Sequence, residues 1–342
     1  MCFCMPKINL QLFIYSLMLG KVKHIAYGLS SVILCTHICL QEQKLVLHLF
    51  ISHVLCCAYC LIFRSISIMG FLSETQKQFY KENGYILLDN VFSEKEIDQC
   101  GTAYDELFEL KRSQEYNMEA TWKGSWNENS KNNSVLSIHN LQCHSSIFTK
   151  VLMNDNLLDA VSDIIESPNI LLHHTKAHIK PPEKGAPFPT HQDYHYFPYK
   201  NDSLVAVFVH LDDSDPDNGG LAIFPGSHLL GPQENKSDVP TNFYVDQETF
   251  ALSKAKPVIA KKGQVLIFSY LLVHGSFPNV SSRNRRMLLI QLLSAEDTPM
   301  RQIHMSPCHG MVLRGKNVRR NADLAKRHET DGTILAATKS AN

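Results

Sequence analysis

Thr190-His191-Gln192-Asp193-Tyr194 sets an imidazole and a carboxylate two residues apart. In a β-strand residues i and i+2 share a face, so His191 and Asp193 can converge on one ion. Such a pair alone decides little, because 13 of the 17 histidines lie beyond residue 69 and one chance His-x-Asp among them is unremarkable. The pattern continues, however. Gly263-Gln264-Val265-Leu266-Ile267-Phe268-Ser269 reads as a turn and strand, and Leu271-Leu272-Val273-His274-Gly275-Ser276 follows it. Eleven residues after His274 stands Arg285, at the head of the apolar run Met287 to Leu293. Two histidines and one carboxylate make a facial triad that leaves metal positions open, and no cysteine joins the set, which favours iron over zinc. A guanidinium at Arg285 could grip one end of a dicarboxylate through its planar fork while the other end chelates the metal.

Other residues of suitable type read more plainly. His228 in Pro225-Gly226-Ser227-His228 suits a turn hydrogen bond, and His173, His174, His178 and His195 suit structural positions on a strand rim. Arg283 and Arg286 flank Arg285 but should point elsewhere and be solvated or salt-bridged. Asp212, Asp213, Asp215 and Asp217 lack the glycine and terminal glutamate of a calcium loop and read as a polar turn. Trp122, Lys123 and Trp126 could form a substrate lid or a loop packed on the core. Cys100 and Cys143, with no paired histidine, read as buried thiols.

Ser73-Glu74-Thr75-Gln76 and Ser93-Glu94-Lys95-Glu96 fit capping boxes. The first predicts a short helix closed by Asn83-Gly84, before a strand at Tyr85-Ile86-Leu87-Leu88. The second predicts a helix running to about Lys111, and a third spans about Asn156 to Glu166 from its helical apolar spacing. Beyond Pro168 the pattern turns to β, with strands at Ile170–Leu172, Leu204–Leu211, Leu221–Phe224, Val265–Phe268 and Met287–Leu293 between Gly/Asn/Pro turns. Helices followed by spaced strands predict a mainly β barrel or double sheet with flanking α-helices.

With those residues in place, the stretch from about Phe71 to Arg314 resembles the phytanoyl-CoA dioxygenase family of Fe(II)/2-oxoglutarate-dependent oxygenases. The resemblance runs through Asn83-Gly84-Tyr85, Lys180-Pro181-Pro182, His191-Gln192-Asp193, Leu211-Asp212-Asp213, Asn218-Gly219, Pro225-Gly226-Ser227-His228, His274-Gly275-Ser276, Asn279 and Arg285. It implies a cupin-like double-stranded β-helix, or jelly roll. It implies Fe(II) on His191, Asp193 and His274. It also implies that the far carboxylate of 2-oxoglutarate rests on Arg285 with Ser276, and that Gln192, Lys176 and Phe208 line the cosubstrate site. Lys176 stands where the phytanoyl-CoA enzyme has methionine, and Phe208 where it has tryptophan. Its upstream cosubstrate lysine has no clear counterpart, the nearest positions being Ser137 and His139. The run from His174-Thr175-Lys176 to Gly185-Ala186-Pro187-Phe188-Pro189 is closer to hypophosphite dioxygenase-like relatives. The implied reaction uses O2, with ascorbate as a supporting reductant, and releases succinate and CO2.

The chain has 342 residues, with 33 basic and 33 acidic side chains, which excludes a disordered chain and argues against a dedicated nucleic-acid binder. The zero balance hides two unlike parts. Residues 1–69 hold five basic residues and one acidic, so the remaining 28 and 32 leave the rest at −4. Seven of the ten cysteines also fall in residues 1–69, and Cys100, Cys143 and Cys308 beyond make no disulfide framework. Leu45 to Phe63 is a 19-residue run without formal charge. It reads as a membrane anchor, a targeting segment, or residues ahead of a biological start at Met69. The expected organisation is an apolar cysteine-rich extension over 1–68, an oxygenase domain over 69–315 and a charged tail over 316–342. The partner is a small molecule and the default location is cytoplasmic; the sequence leaves the oligomeric state open. Three functions stand: hydroxylation of a small organic molecule, oxidation of a small anion or phosphorus compound by the same site, or a non-catalytic metal- or metabolite-binding relative.

Overall fold

The computed structural model describes residues 70–113, 120–122, 135–182, 186–238, 243–300, 306, 308–316 and 318. The apolar run 45–63, Lys123, Trp126 and nearly all of the tail lie outside the described residues. Among the described residues no helix is long and apolar enough to cross a membrane.

Both capping boxes form. Ser73 and Gln76 bond reciprocally at the start of α1 (Glu74–Asn83), and Gly84, at φ 76°, closes it in the left-handed region while donating to the Tyr80 carbonyl. Ser93 and Glu96 do the same ahead of α2 (Glu94–Ser113). A short α3 (Ser146–Leu152), which the sequence pattern does not announce, precedes α4 (Asp155–Ile165), capped by Asn154 on the Leu157 amide.

Among the described residues, twelve strands follow the order β1 (Tyr85–Leu88), β2 (Ala120–Trp122), β3 (Val135–His139), β4 (Ile170–Lys180), β5 (Phe188–His191), β6 (Val205–His210), β7 (Leu221–Ile223), β8 (Lys256–Pro257), β9 (Val265–Ser269), β10 (His274–Ser276), β11 (Arg285–Ser294) and β12 (Val312–Arg314). They form two antiparallel sheets. The larger runs β1-β9-β6-β11-β4-β3-β2 with β12 also on β4, and the smaller runs β5-β10-β7-β8. The fold is mainly β with flanking helices, as expected of a jelly roll.

Alternation along the large sheet assigns its faces. On β11, Leu288, Ile290 and Leu292 pack outward with Val205, Val207, Val265 and Ile267 against Tyr104, Leu107, Phe148 and Leu157 of the helices. Met287 and Leu289 turn inward with Ala206, Phe208, Leu266 and Phe268, and meet Leu221 and Ile223 of the small sheet. A sheet buried on both faces has near-continuous apolar strands, which explains why β6 and β9 are buried throughout. The inner face changes character toward β4. There Lys180, His178, Lys176 and His174 lie opposite Arg285, Met287, Leu289 and Gln291 in register.

Two thiol expectations separate. Cys100 is buried, but Cys143 is exposed, with its sulfur 3.6 Å from that of Cys308.

Candidate metal centre

Strand pairing brings the two histidines together: His274, the first residue of β10, lies directly across from His191, the last of β5. Asp193 is not on the strand with His191; it opens a one-turn 3-10 helix immediately after β5. The i, i+2 convergence therefore arises where a strand ends and turns, not from strand alternation. The Asp193 Oδ1 atom lies 3.6 Å from His191 Nε2 and 3.8 Å from His274 Nε2. The imidazoles are buried and the Asp193 side chain is 13% exposed. Together they form the one group of histidine, cysteine or carboxylate side chains able to hold a metal ion among the described residues.

Each donor is oriented from behind. His191 Nδ1 donates to the Pro189 carbonyl at 2.9 Å, and His274 Nδ1 donates to the Leu272 carbonyl at 2.9 Å. A carbonyl can only accept, so both rings carry their proton on Nδ1 and turn the Nε2 lone pair inward. Gln291 Nε2 donates to Asp193 Oδ2 at 2.8 Å, leaving Oδ1 toward the imidazoles. Burial, with His191 alongside, lowers His274 to about 4, so it is neutral near pH 7. Burial works against the Asp193 carboxylate, but the hydrogen bond and charge that the two histidines offer whenever they are protonated hold the carboxyl below its usual value. Two neutral nitrogens and one anionic oxygen, with edges one ion can span at about 2.0–2.2 Å from each donor, suit a divalent first-row metal. Replacing Gln291 by Leu frees the carboxylate to rotate. Metal affinity should fall roughly 10- to 100-fold, the range for an orienting partner, as read by equilibrium dialysis.

Next to this centre, Arg285 is 4% exposed; its Nη1 donates to the Gly219 carbonyl and its Nε has no hydrogen-bond partner. Burial lowers it only to about 10, so it stays charged. Of its neighbours, Arg286 is placed by strand alternation, while Arg283 lies in the bend ahead of β11. Arg286 faces out and grips Asp212 with Nε at 3.0 Å and Nη2 at 2.6 Å, while Arg283 pairs with Asp215 at 2.7 Å. Asp212, Asp213 and Asp215 of this turn are taken up by cations and backbone amides, Asp213 by Lys261 and the Lys262 amide, consistent with a polar turn.

Ser276 lies on the same small-sheet strand as His274, and its hydroxyl accepts from Lys180 Nζ at 2.8 Å. Lys180 appears in the sequence only as part of Lys-Pro-Pro; its partnership with Arg285 across β4 and β11 is visible once the register is known. Phe208 stacks on Phe268 with ring centres 5.5 Å apart, and Phe268 in turn lies 4.6 Å from the His274 ring, which places Phe208 on the inner face. Lys176 shares that face, between His139 of β3 and Leu289 of β11.

The expectation that Gln192 lines the cosubstrate site does not hold. Gln192 is 0% exposed; its Nε2 donates to the Gly231 and Leu271 carbonyls at 3.0 and 2.6 Å, and its Oε1 accepts from the Gln233 amide at 2.8 Å. Sitting between two residues that face the metal position, it points away and ties loops together. His228 accepts the turn role, bonding the Lys81 carbonyl, and His195 bonds the Gln233 carbonyl.

The family model for phytanoyl-CoA dioxygenase (PhyH) matches residues 80–287, a span that contains all three donors and Arg285. The chain belongs to the phytanoyl-CoA dioxygenase family. It is 25% identical over 240 residues to the probable alpha-ketoglutarate-dependent hypophosphite dioxygenase of Stutzerimonas stutzeri, covering 66% of this chain and 80% of that one. It is 27% identical over 231 residues to the peroxisomal phytanoyl-CoA dioxygenase of Bos taurus, covering 64% and 67%. Among solved structures, EctD from S. alaskensis with bound Fe matches at TM-score 0.55 and 20% identity, over 79% of this chain and 88% of that one. As a member of the phytanoyl-CoA dioxygenase family the chain is an Fe(II)- and 2-oxoglutarate-dependent dioxygenase.

Proposed function

We propose that the chain hydroxylates a small organic molecule at one Fe(II) held by His191, Asp193 and His274, with 2-oxoglutarate as cosubstrate. The observation that carries this reading is the inward pair of imidazole Nε2 atoms with one carboxylate oxygen, with no other group of three or more such side chains among the described residues. Iron with 2-oxoglutarate would supply oxygen activation, with succinate and CO2 as coproducts. The protein's part is to bind, orient and exclude water. Arg285 would hold the far carboxylate, with Ser276 beside it as a neutral hydroxyl.

On the substrate side, aromatic rings surround His191: Phe188 lies 4.9 Å from its ring and Tyr196 6.4 Å away, with Phe243 packed edge-on to Tyr196 at 4.7 Å. These favour a substrate with apolar carbon near the metal. The inward row His174, Lys176 and His178 on β4 supports a second reading, oxidation of a small anion by the same centre. The test is succinate release by iron-loaded protein over a metabolite panel that includes acyl-CoA esters, free organic acids and hypophosphite. Release stimulated by an organic compound supports the first reading; stimulation by hypophosphite alone supports the second. Binding of 2-oxoglutarate with no stimulated turnover across a broad panel would favour a metabolite-binding relative.

A further inference from the structure

Lys180 and Arg285 occupy facing register positions on β4 and β11, both reaching across to the small sheet. Lys180 Nζ donates to Ser276 Oγ at 2.8 Å and to the Phe277 carbonyl; Arg285 donates to the Gly219 carbonyl. Every one of these acceptors is neutral, and neither cation forms an ion pair with a carboxylate among the described residues. A buried amine beside a buried guanidinium is pushed off its charged form by desolvation and repulsion, so a carboxylate is the group that would let both be charged here. The corner is also shaped for the lysine. Gly219, at φ 83°, passes so close to the Lys180 stem that a Cβ there would collide with Lys180 Cδ. Asn279 fixes the strand end by donating to the Lys180 carbonyl at 3.0 Å.

We propose that Lys180 is a second cosubstrate-binding residue, sharing the far carboxylate of 2-oxoglutarate with Arg285. The inference rests on the cosubstrate reading given above. A tie between the sheets through Ser276 could be made by any neutral donor; an amine in this place adds a group that can take up a charge, beside the Arg285 guanidinium. Burial and the adjacent guanidinium bring Lys180 down to about 6, so near pH 7.5 it is mostly neutral until a carboxylate binds. The groups that face it are Arg285 from β11, Ser276 and the Phe277 carbonyl from β10 and its following turn, Gly219 from the turn before β7, and His178 on its own strand. An arriving carboxylate stabilises the ammonium form, so binding should draw in a proton.

The test is calorimetric titration of the Fe(II)-loaded, oxygen-free full chain with 2-oxoglutarate and with 2-oxobutanoate, which keeps the chelating end but lacks the far carboxylate. Lys180→Met should weaken 2-oxoglutarate roughly 10- to 100-fold while leaving 2-oxobutanoate and metal affinity within about twofold. Equal losses for both ligands would show that Lys180 only supports the site structurally, and unchanged 2-oxoglutarate affinity would overturn the proposal outright. Should Lys180→Met fail to fold, Lys180→Gln, which keeps a neutral donor to Ser276, is read by the same pair of titrations, and an unchanged 2-oxoglutarate affinity there overturns the proposal. The wild-type chain, titrated at pH 7.5 in buffers of different ionisation heat, should take up close to one proton with 2-oxoglutarate and none with 2-oxobutanoate. Failure of the wild-type chain to bind 2-oxoglutarate at all would overturn the cosubstrate reading and this inference with it.

Discussion

Asp193→Ala should abolish tight Fe(II) binding while leaving the fold intact. Asp193 is the only anionic donor of the three, and its Oδ1 lies within 3.8 Å of both imidazole Nε2 atoms. Removing it leaves two neutral nitrogens that together carry no charge against a dication. The loss should therefore exceed the roughly 100-fold upper range seen when only an orienting partner is removed. The fold should tolerate the change, because the carboxylate accepts from the Gln291 side chain and otherwise faces the two imidazole Nε2 atoms, with no part in the strand pairing. Its removal leaves the Gln291 amide N–H without its acceptor, a cost of about 1–3 kcal/mol. Asp193→Asn isolates the charge: it preserves volume and an acceptor for Gln291 and should still bind iron poorly. Metal content after anaerobic loading and gel filtration, with circular dichroism as the check on folding, decides the matter. Full iron occupancy in Asp193→Ala would remove it from the proposed ligand set.

The metal group was legible in the sequence because all its signals are local. His-x-Asp and the Leu-Val-His-Gly-Ser segment each sit at a strand end, and strand ends can be read from apolar runs meeting turn residues. Arg285 was separable from Arg286 by alternation, and Arg286 pairs with Asp212 on the opposite face; Arg283 is set apart because it precedes the strand, where it pairs with Asp215. What stayed hidden depends on register between distant strands. Lys180 meets Arg285 across β4 and β11, and nothing in the local pattern of Ile179-Lys180-Pro181 announces a cation pair. Gln291 likewise sits inside an apolar run, and its bond to Asp193 spans 98 residues. Gln192 failed for the opposite reason. Proximity in sequence to two metal-facing residues suggested a shared role, yet the chain turns between them and sends its amide to backbone carbonyls. β4 was foreseen only as Ile170 to Leu172 because its inward half carries lysine and histidine, which hide an 11-residue strand from a hydrophobic pattern.

Arg285→Ala should cost the chain most of its 2-oxoglutarate affinity without touching the metal. The guanidinium is buried to 4% exposure, keeps its charge, and has a buried Nε with no acceptor, so it has donor capacity directed into the interior. Truncating a desolvated member of a charged pair costs on the order of 2–5 kcal/mol, which reads as a loss of roughly 30-fold to several thousandfold in affinity. Arg285→Lys separates charge from geometry. The ammonium keeps the positive charge but cannot present two parallel N–H groups to one carboxylate, so its loss should be smaller than that of alanine and still measurable. Iron affinity should be unchanged in both, because Arg285 touches the Gly219 carbonyl and none of the three metal-facing side chains. The measurement is 2-oxoglutarate titration of Fe(II)-loaded, oxygen-free protein for wild type and both variants. An Arg285→Ala chain that binds 2-oxoglutarate as the wild type does would move the anchor elsewhere on the inner face, with Lys180 and Lys176 the next cations to test. A double variant Arg285→Ala/Lys180→Met whose total loss is smaller than the product of the two single losses would mark one carboxylate shared between them, because groups that hold the same ligand atom are not additive.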